Sequence, residues 1–151
     1  WEGGHRMPFI VKWPGVVQPN SVNNKLISFT DVLATFAEMN QLTLTANDRE
    51  DSHSFLPLLK ENDHPATREK FVHKSSKGMY SIRKGNWKYI DGEGSGGFTD
   101  GYDPSVKTRD IYPGQLYNLE NDLGEKTNLY ESEKEKRIEL YNELKALTSE
   151  L

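Results

Sequence analysis

The side chains best suited by type to do chemistry stand at the start of the chain, in Trp1-Glu2-Gly3-Gly4-His5-Arg6. Two glycines let the backbone approach another group closely. His5 and Arg6 then form a cationic pair just ahead of an apolar run. An arginine beside buried structure is nearly always paired. Its partner here is either a structural carboxylate such as Glu2 or a charged group on a substrate. The other histidines are His53, His64 and His73, and no two of the four stand at the i, i+4 spacing of a helical metal site. Neither HExxH nor GxSxG occurs, which excludes the zinc-protease helix and the hydrolase elbow. With no cysteine in the chain, a thiolate metal site and a disulfide framework are excluded as well.

Two further motifs fail on their context. Gly92-Glu93-Gly94-Ser95-Gly96-Gly97 matches the dinucleotide fingerprint literally, but the continuation Phe98-Thr99-Asp100-Gly101 carries no helical pattern to hold a pyrophosphate. It reads as a connection between strands. The acidic stretches at 91–93 and 118–122 resemble calcium loops, which need Gly at the sixth position and Glu at the twelfth. Counted from Asp91 the twelfth residue is Tyr102, and from Asn118 the sixth is Leu123. Both read as solvated turns.

The elements that must carry these residues follow from patterning. The chain has 151 residues, 34% of them hydrophobic, and a net charge of -4 with both signs interspersed. That supports one domain or two small units with a thin core, and no basic patch suggests nucleic acid. No apolar run approaches the roughly 20 residues that cross a bilayer. Residues 9–13 (FIVKW) form a short apolar run ended by Pro14-Gly15, which predicts a strand buried on both faces. Thr30 or Asp31 caps a helix through about Met39, with Leu33, Phe36 and Ala37 facing inward. Residues 43–54 read as a polar surface loop, and 54–60 return briefly to apolar character.

From Phe71 the pattern becomes that of an antiparallel sheet. Phe71-Val72, Met79 to Arg83, Trp87 to Ile90 and Gln115 to Leu119 are the candidate strands, with a hairpin at Lys84-Gly85-Asn86. Ser132-Glu133-Lys134-Glu135 has the form of a capping box. Ile138, Leu140, Tyr141, Leu144, Leu147 and Leu151 then recur at three- and four-residue steps, which predicts an amphipathic C-terminal helix. The fold class is α+β.

The phrases themselves carry a resemblance. WEGGHRMPFIVKWPG resembles the WEGGxRVPFIxxWPG segment of formylglycine-dependent sulfatases, as in arylsulfatases and N-acetylhexosamine-sulfate sulfatases. The phrases FTDVLATFAEM, EDSHSFLPLLK, GMYSIRKGNWKYI and GQLYNLENDLGEKTNL follow in that family's order, with Leu123 where the family usually has Pro. The resemblance covers essentially the whole chain. It implies the C-terminal portion of a sulfatase: residues 1–65 ending an alkaline-phosphatase-like α/β domain, and 66–151 forming a small antiparallel sheet packed on a long helix.

In that family a hydrated formylglycine attacks the sulfate ester, calcium stabilises charge on the sulfate oxygens, and a general acid protonates the leaving alcohol. The formylglycine arises from Cys or Ser in a [C/S]-x-P-x-R motif, and no serine here begins S-x-P-x-R. The resemblance places that motif, the metal ligands and the sulfate-contacting Lys upstream of Trp1. It therefore implies no catalytic and no metal-binding residue here, calcium and formylglycine only in the parent enzyme, and no sulfatase turnover by this chain alone. The rest of the catalytic domain and a sulfated carbohydrate are the implied partners.

His5 and Arg6, with His73 and Lys74, are the residues implied to reach substrate, His5 as a contact and Arg6 in a structural part. A non-catalytic binding module, or part of a phosphoesterase or phosphonate hydrolase of the same superfamily, is the alternative. No N-x-[S/T] acceptor occurs, which suits a bacterial periplasmic or secreted protein.

Overall fold

A computed structural model describes residues 1–49, 51–96 and 112–149. The chain forms two compact units, one of Trp1–Met7 with Lys70–Leu151 and the other of Pro8–Glu69. Gly97, Phe98 and the rest of the tested glycine-rich continuation lie outside the described residues, as does Leu151.

In the unit of Pro8–Glu69 the elements are helix α1 (Asp31–Met39) and the short helix α2 (Leu56–Lys60). The run at 9–13 is not a strand. It is irregular, with Phe9 46% and Ile10 91% exposed, because no described strand pairs with it. Helix α1 appears where its pattern predicts, but rotated from the expected facing. Asp31, Ala34, Thr35 and Ala37 are buried, while Leu33 and Phe36 are exposed.

Charge fixes that rotation. Asp31 is fully buried and accepts from Arg68 Nε at 3.0 Å, from Arg68 Nη2, and from the backbone N–H groups of Ser28 and His53. An ionised carboxylate is far costlier to leave unpaired in the interior than a leucine is to expose. The helix therefore turns its acid inward. Neither Thr30 nor Asp31 caps the first turn with its side chain, since Thr30 Oγ1 donates to Ser28 Oγ and to the carbonyl of Asp51. The polar loop is partly interior too: Ser52 Oγ accepts from the Ala34 N–H and donates to the Thr30 carbonyl.

In the other unit, strands β1 (Lys70–Lys74), β2 (Tyr80–Lys84), β3 (Trp87–Ile90) and β4 (Gln115–Asn118) form an antiparallel sheet in the order β1-β2-β3-β4. Helix α3 spans Lys134–Thr148. This is the expected sheet-plus-helix arrangement. The hairpin between β2 and β3 turns through Gly85 at φ +57°, a left-handed conformation that glycine adopts without steric cost.

Register divides the sheet into two faces, because side chains alternate along each strand. Val72, Ile82, Tyr89 and Leu116 are aligned across the four strands on one face. Ile82, Tyr89 and Leu116 pack with Leu140 and Leu144 of α3 into one core. Burying each leucine stabilises the unit by about 1.5–3 kcal/mol. The other face aligns Phe71, Arg83, Lys88 and Tyr117, and beside them His73, Ser81, Ile90 and Gln115. It is largely polar.

The apolar stripe of α3 is narrower than its sequence suggests, since Ile138, Tyr141 and Leu147 are exposed. The capping box does not form either. Glu133 is the N-cap without a side-chain cap, and Ser132 Oγ donates to the Leu129 carbonyl instead. No helix among the described residues is long and apolar enough to cross a membrane.

Candidate functional site

The polar face of the sheet meets the first six residues of the chain. Glu2–Gly4 form a single 3₁₀ turn, which carries Glu2 inward until only 3% of it is exposed. Trp1 Nε1 donates to Gln115 Oε1 at 2.8 Å, and Tyr117 Oη donates to the same oxygen at 2.7 Å. The Glu2 N–H donates to Glu125 Oε2.

The Glu2 carboxylate is the hub of the site. Its Oε1 lies 2.9 Å from His5 Nε2 and 3.1 Å from Lys88 Nζ. Its Oε2 lies 3.6 Å from Arg6 Nη1 and 3.5 Å from Arg83 Nη1. Lys88 is fully enclosed and pairs a second time, with Glu125 Oε1 at 2.8 Å. Burial alone would push the Glu2 carboxyl upward. The His5 hydrogen bond and the Lys88 charge outweigh it and hold the group well below the ordinary carboxylate range. Glu2 is therefore ionised and can only accept, so His5 Nε2 must carry the shared proton. In neutral His5 the other nitrogen, Nδ1, is then an acceptor, and in the imidazolium both nitrogens donate.

His73 packs against this hub from β1. Its ring centroid is 4.1 Å from that of His5 and 5.7 Å from that of Phe71, and its Nε2 is 2.7 Å from Ser81 Oγ. Burial, then the positive charges of His5 and Lys88, lowers its pKa to about 3. His73 is thus a neutral ring at physiological pH, and its Nδ1 is buried without a hydrogen-bond partner. The cluster offers a carboxylate–imidazole dyad, a half-exposed guanidinium and a neutral imidazole within one small area. Such a set can hydrogen-bond hydroxyls and attract anions.

Residues 1–150 match the family described as N-sulphoglucosamine sulphohydrolase, C-terminal. The chain belongs to this sulfatase C-terminal family. An N-acetylgalactosamine-6-O-sulfatase of Bacteroides thetaiotaomicron is 33% identical over 129 residues, which is 85% of this chain and 24% of that protein. Arylsulfatase G of Homo sapiens is 29% identical over 132 residues, covering 83% of this chain and 24% of that protein. A solved structure from a study of glycosaminoglycan metabolism by Bacteroides thetaiotaomicron superposes with a TM-score of 0.79 at 31% identity. That superposition covers 98% of this chain and 30% of the other. The chain thus spans about a quarter of the length of the curated relatives described here.

Of the four residues singled out in this sulfatase domain, the structure brings His5, Arg6 and His73 together. Lys74 points to the opposite face of β1, as the alternation of a strand requires, and lies with its Nζ 4.6 Å from the centre of the Tyr80 ring. Sequence reasoning missed Ser81, Arg83, Lys88 and Glu125. A signal for Lys88 existed: it is the charged residue inside the otherwise apolar strand Trp87–Ile90, two steps from the apolar Ile90 on the same face. Glu125, in a loop more than 120 residues away, gave none.

The calcium and formylglycine that the sulfatase resemblance implies find no fit in these residues. The sequence holds neither cysteine nor S-x-P-x-R. Among the described residues no group of three or more His, Cys, Asp or Glu is placed to hold a metal ion. The aspartates of the two calcium-loop lookalikes are already engaged: Asp91 with Lys145 and Tyr89, and Asp122 with the backbone of Lys126 and Thr127.

Proposed function

We propose that this domain is the C-terminal part of an enzyme that hydrolyses sulfate esters of glycans, and that its Glu2–His5–Arg6–His73 cluster borders the substrate pocket. The observation that carries this reading is the convergence of His5 and Arg6 on one ionised carboxylate, with His73 packed against the His5 ring, within a chain of sulfatase family. Relatives named for sulfated sugars support the substrate class. Through Nδ1, His5 accepts from a sugar hydroxyl or, as imidazolium, donates to a hydroxyl or sulfate oxygen, because Nε2 is committed to Glu2. Arg6 is half-exposed and supplies positive charge toward the same space. Lys74, on the other face, adds a cation at the periphery.

The reacting groups belong to the remainder of the polypeptide. There formylglycine supplies the nucleophile and calcium the charge stabilisation, in a protein exported to the periplasm or medium. In the complete polypeptide, His5→Ala should lower kcat/KM on a 6-sulfated N-acetylhexosamine by about tenfold to a hundredfold, an effect of roughly 1.4–2.8 kcal/mol. The 151-residue chain with added calcium should show no turnover. Hydrolysis by that chain alone, or full activity in the His5→Ala enzyme, would refute the corresponding part of the proposal.

A further inference from the structure

The charges around Glu2 do not balance where they are buried. Glu2 and Glu125 supply two carboxylates, and Lys88, fully enclosed between them, supplies one ammonium. One negative charge is left over in a place where an uncompensated ion is strongly disfavoured. It is met from the surface side by His5, Arg83 and Arg6, which are 36%, 21% and 51% exposed.

The division of labour is visible in the distances. Glu125 holds Lys88 at 2.8 Å, closer than Glu2 does at 3.1 Å, and it also accepts the Glu2 N–H. Glu125 takes a share of the ammonium charge, so the Glu2 carboxylate, although hydrogen-bonded to Lys88, keeps part of its charge for the exposed cations. By binding the Glu2 main chain, it fixes where that carboxylate sits. Without Glu125, Lys88 and Glu2 would form a neutral pair, and the pull of the Glu2 carboxylate on the His5 and Arg6 side chains would weaken, although their N–H groups would still donate to the Glu2 carbonyl.

We propose that Lys88 and Glu125 are positioning residues, a buried clamp that orders His5 and Arg6 for an anionic sugar. The assignment of substrate class rests on the sulfatase reading above, while the clamp itself does not.

A charge cycle in the complete polypeptide tests it. Glu125→Gln makes the buried set neutral, whereas Glu125→Gln combined with Lys88→Met removes one charge of each sign and restores the excess negative charge on Glu2. The single variant should lose about tenfold or more in kcat/KM, carried mainly by KM, and the double variant should regain most of it. Crystal structures should show His5 and Arg6 drawn away from Glu2 in the single variant and returned in the double. If both residues were merely structural, the second substitution would compound the first.

A double variant worse than the single overturns the proposal. So does a Glu125→Gln structure in which His5 Nε2 stays within 3.0 Å of Glu2, about the distance of an ordinary hydrogen bond. If Glu125→Gln does not fold, Glu125→Asp, one methylene shorter, should give the same KM-weighted loss in smaller degree, and unchanged kinetics there overturns it equally. Should the wild-type polypeptide fail to cleave sulfate esters, the sulfatase reading falls, and the crystal structures still decide the clamp.

Discussion

Acid should weaken the sheet-bearing unit chiefly through one residue, His73. Folding holds its pKa at about 3, whereas an unperturbed histidine titrates near 6.5. Between those values the unfolded chain binds a proton that the folded chain refuses, so stability is complete above 6.5 and declines as pH falls toward 3. The slope is roughly 1.4 kcal/mol per pH unit, so about 2 kcal/mol should be lost on acidifying to about pH 5. Glu2 and Asp31 behave oppositely in cause, since each is held below its ordinary value of 4.5 or 3.8. Their contribution is present above those values and is lost only as pH drops beneath them, so from 6.5 to about 5 the decline comes from His73 and from the Trp1 amine, which burial and then Lys88 also hold low.

Urea unfolding is the assay, followed by Trp1 and Trp87 fluorescence in a Trp13→Phe background. A loss of about 2 kcal/mol should move the midpoint down by about 1 M, given typical urea slopes of about 1–3 kcal/mol per M. His73→Gln keeps an amide for Ser81 but cannot titrate, and its midpoint should fall much less over the same range. A wild-type midpoint insensitive to pH there, or an equal decline in His73→Gln, would refute the reasoning.

Two other substitutions separate core packing from buried charge. Leu140→Ala empties a fully buried position between α3 and the sheet, and should cost about 2–5 kcal/mol in urea unfolding. Asp31→Asn removes the buried charge that Arg68 Nε and Nη2 bind, and should destabilise the unit of Pro8–Glu69 by about 3–5 kcal/mol, read as faster hydrogen exchange at the Ala34 and Thr35 amides.

The sheet and its helix were legible because their signals are local. Period-two alternation, a glycine at a two-residue turn and a leucine repeat all act within a few residues of each other. The failures share a different cause. Residues 9–13 look like a strand by composition, but a strand exists only where a neighbour accepts its hydrogen bonds, and pattern cannot supply that neighbour. Helix α1 was placed correctly in sequence and turned wrongly in space, because the decisive partner of Asp31 is Arg68, far along the chain.

The site was half legible for the same reason. His5 and Arg6 could be singled out by type and context and His73 only through the family resemblance, and the three lie together. Their anchors Lys88 and Glu125 reach Glu2 across 86 and 123 residues, separations that no spacing rule records.

The split of the sheet-bearing unit across both ends of the chain has a practical corollary. Anyone excising that unit by cutting just before residue 70 would discard the acid that shares the enclosed ammonium of Lys88. The product would keep the four described strands and the long helix, but Lys88 and Glu125 would remain as a lone ion pair without the carboxylate that gathers His5, Arg6 and Arg83. Splicing the first seven residues back through a short glycine linker is the remedy the architecture prescribes.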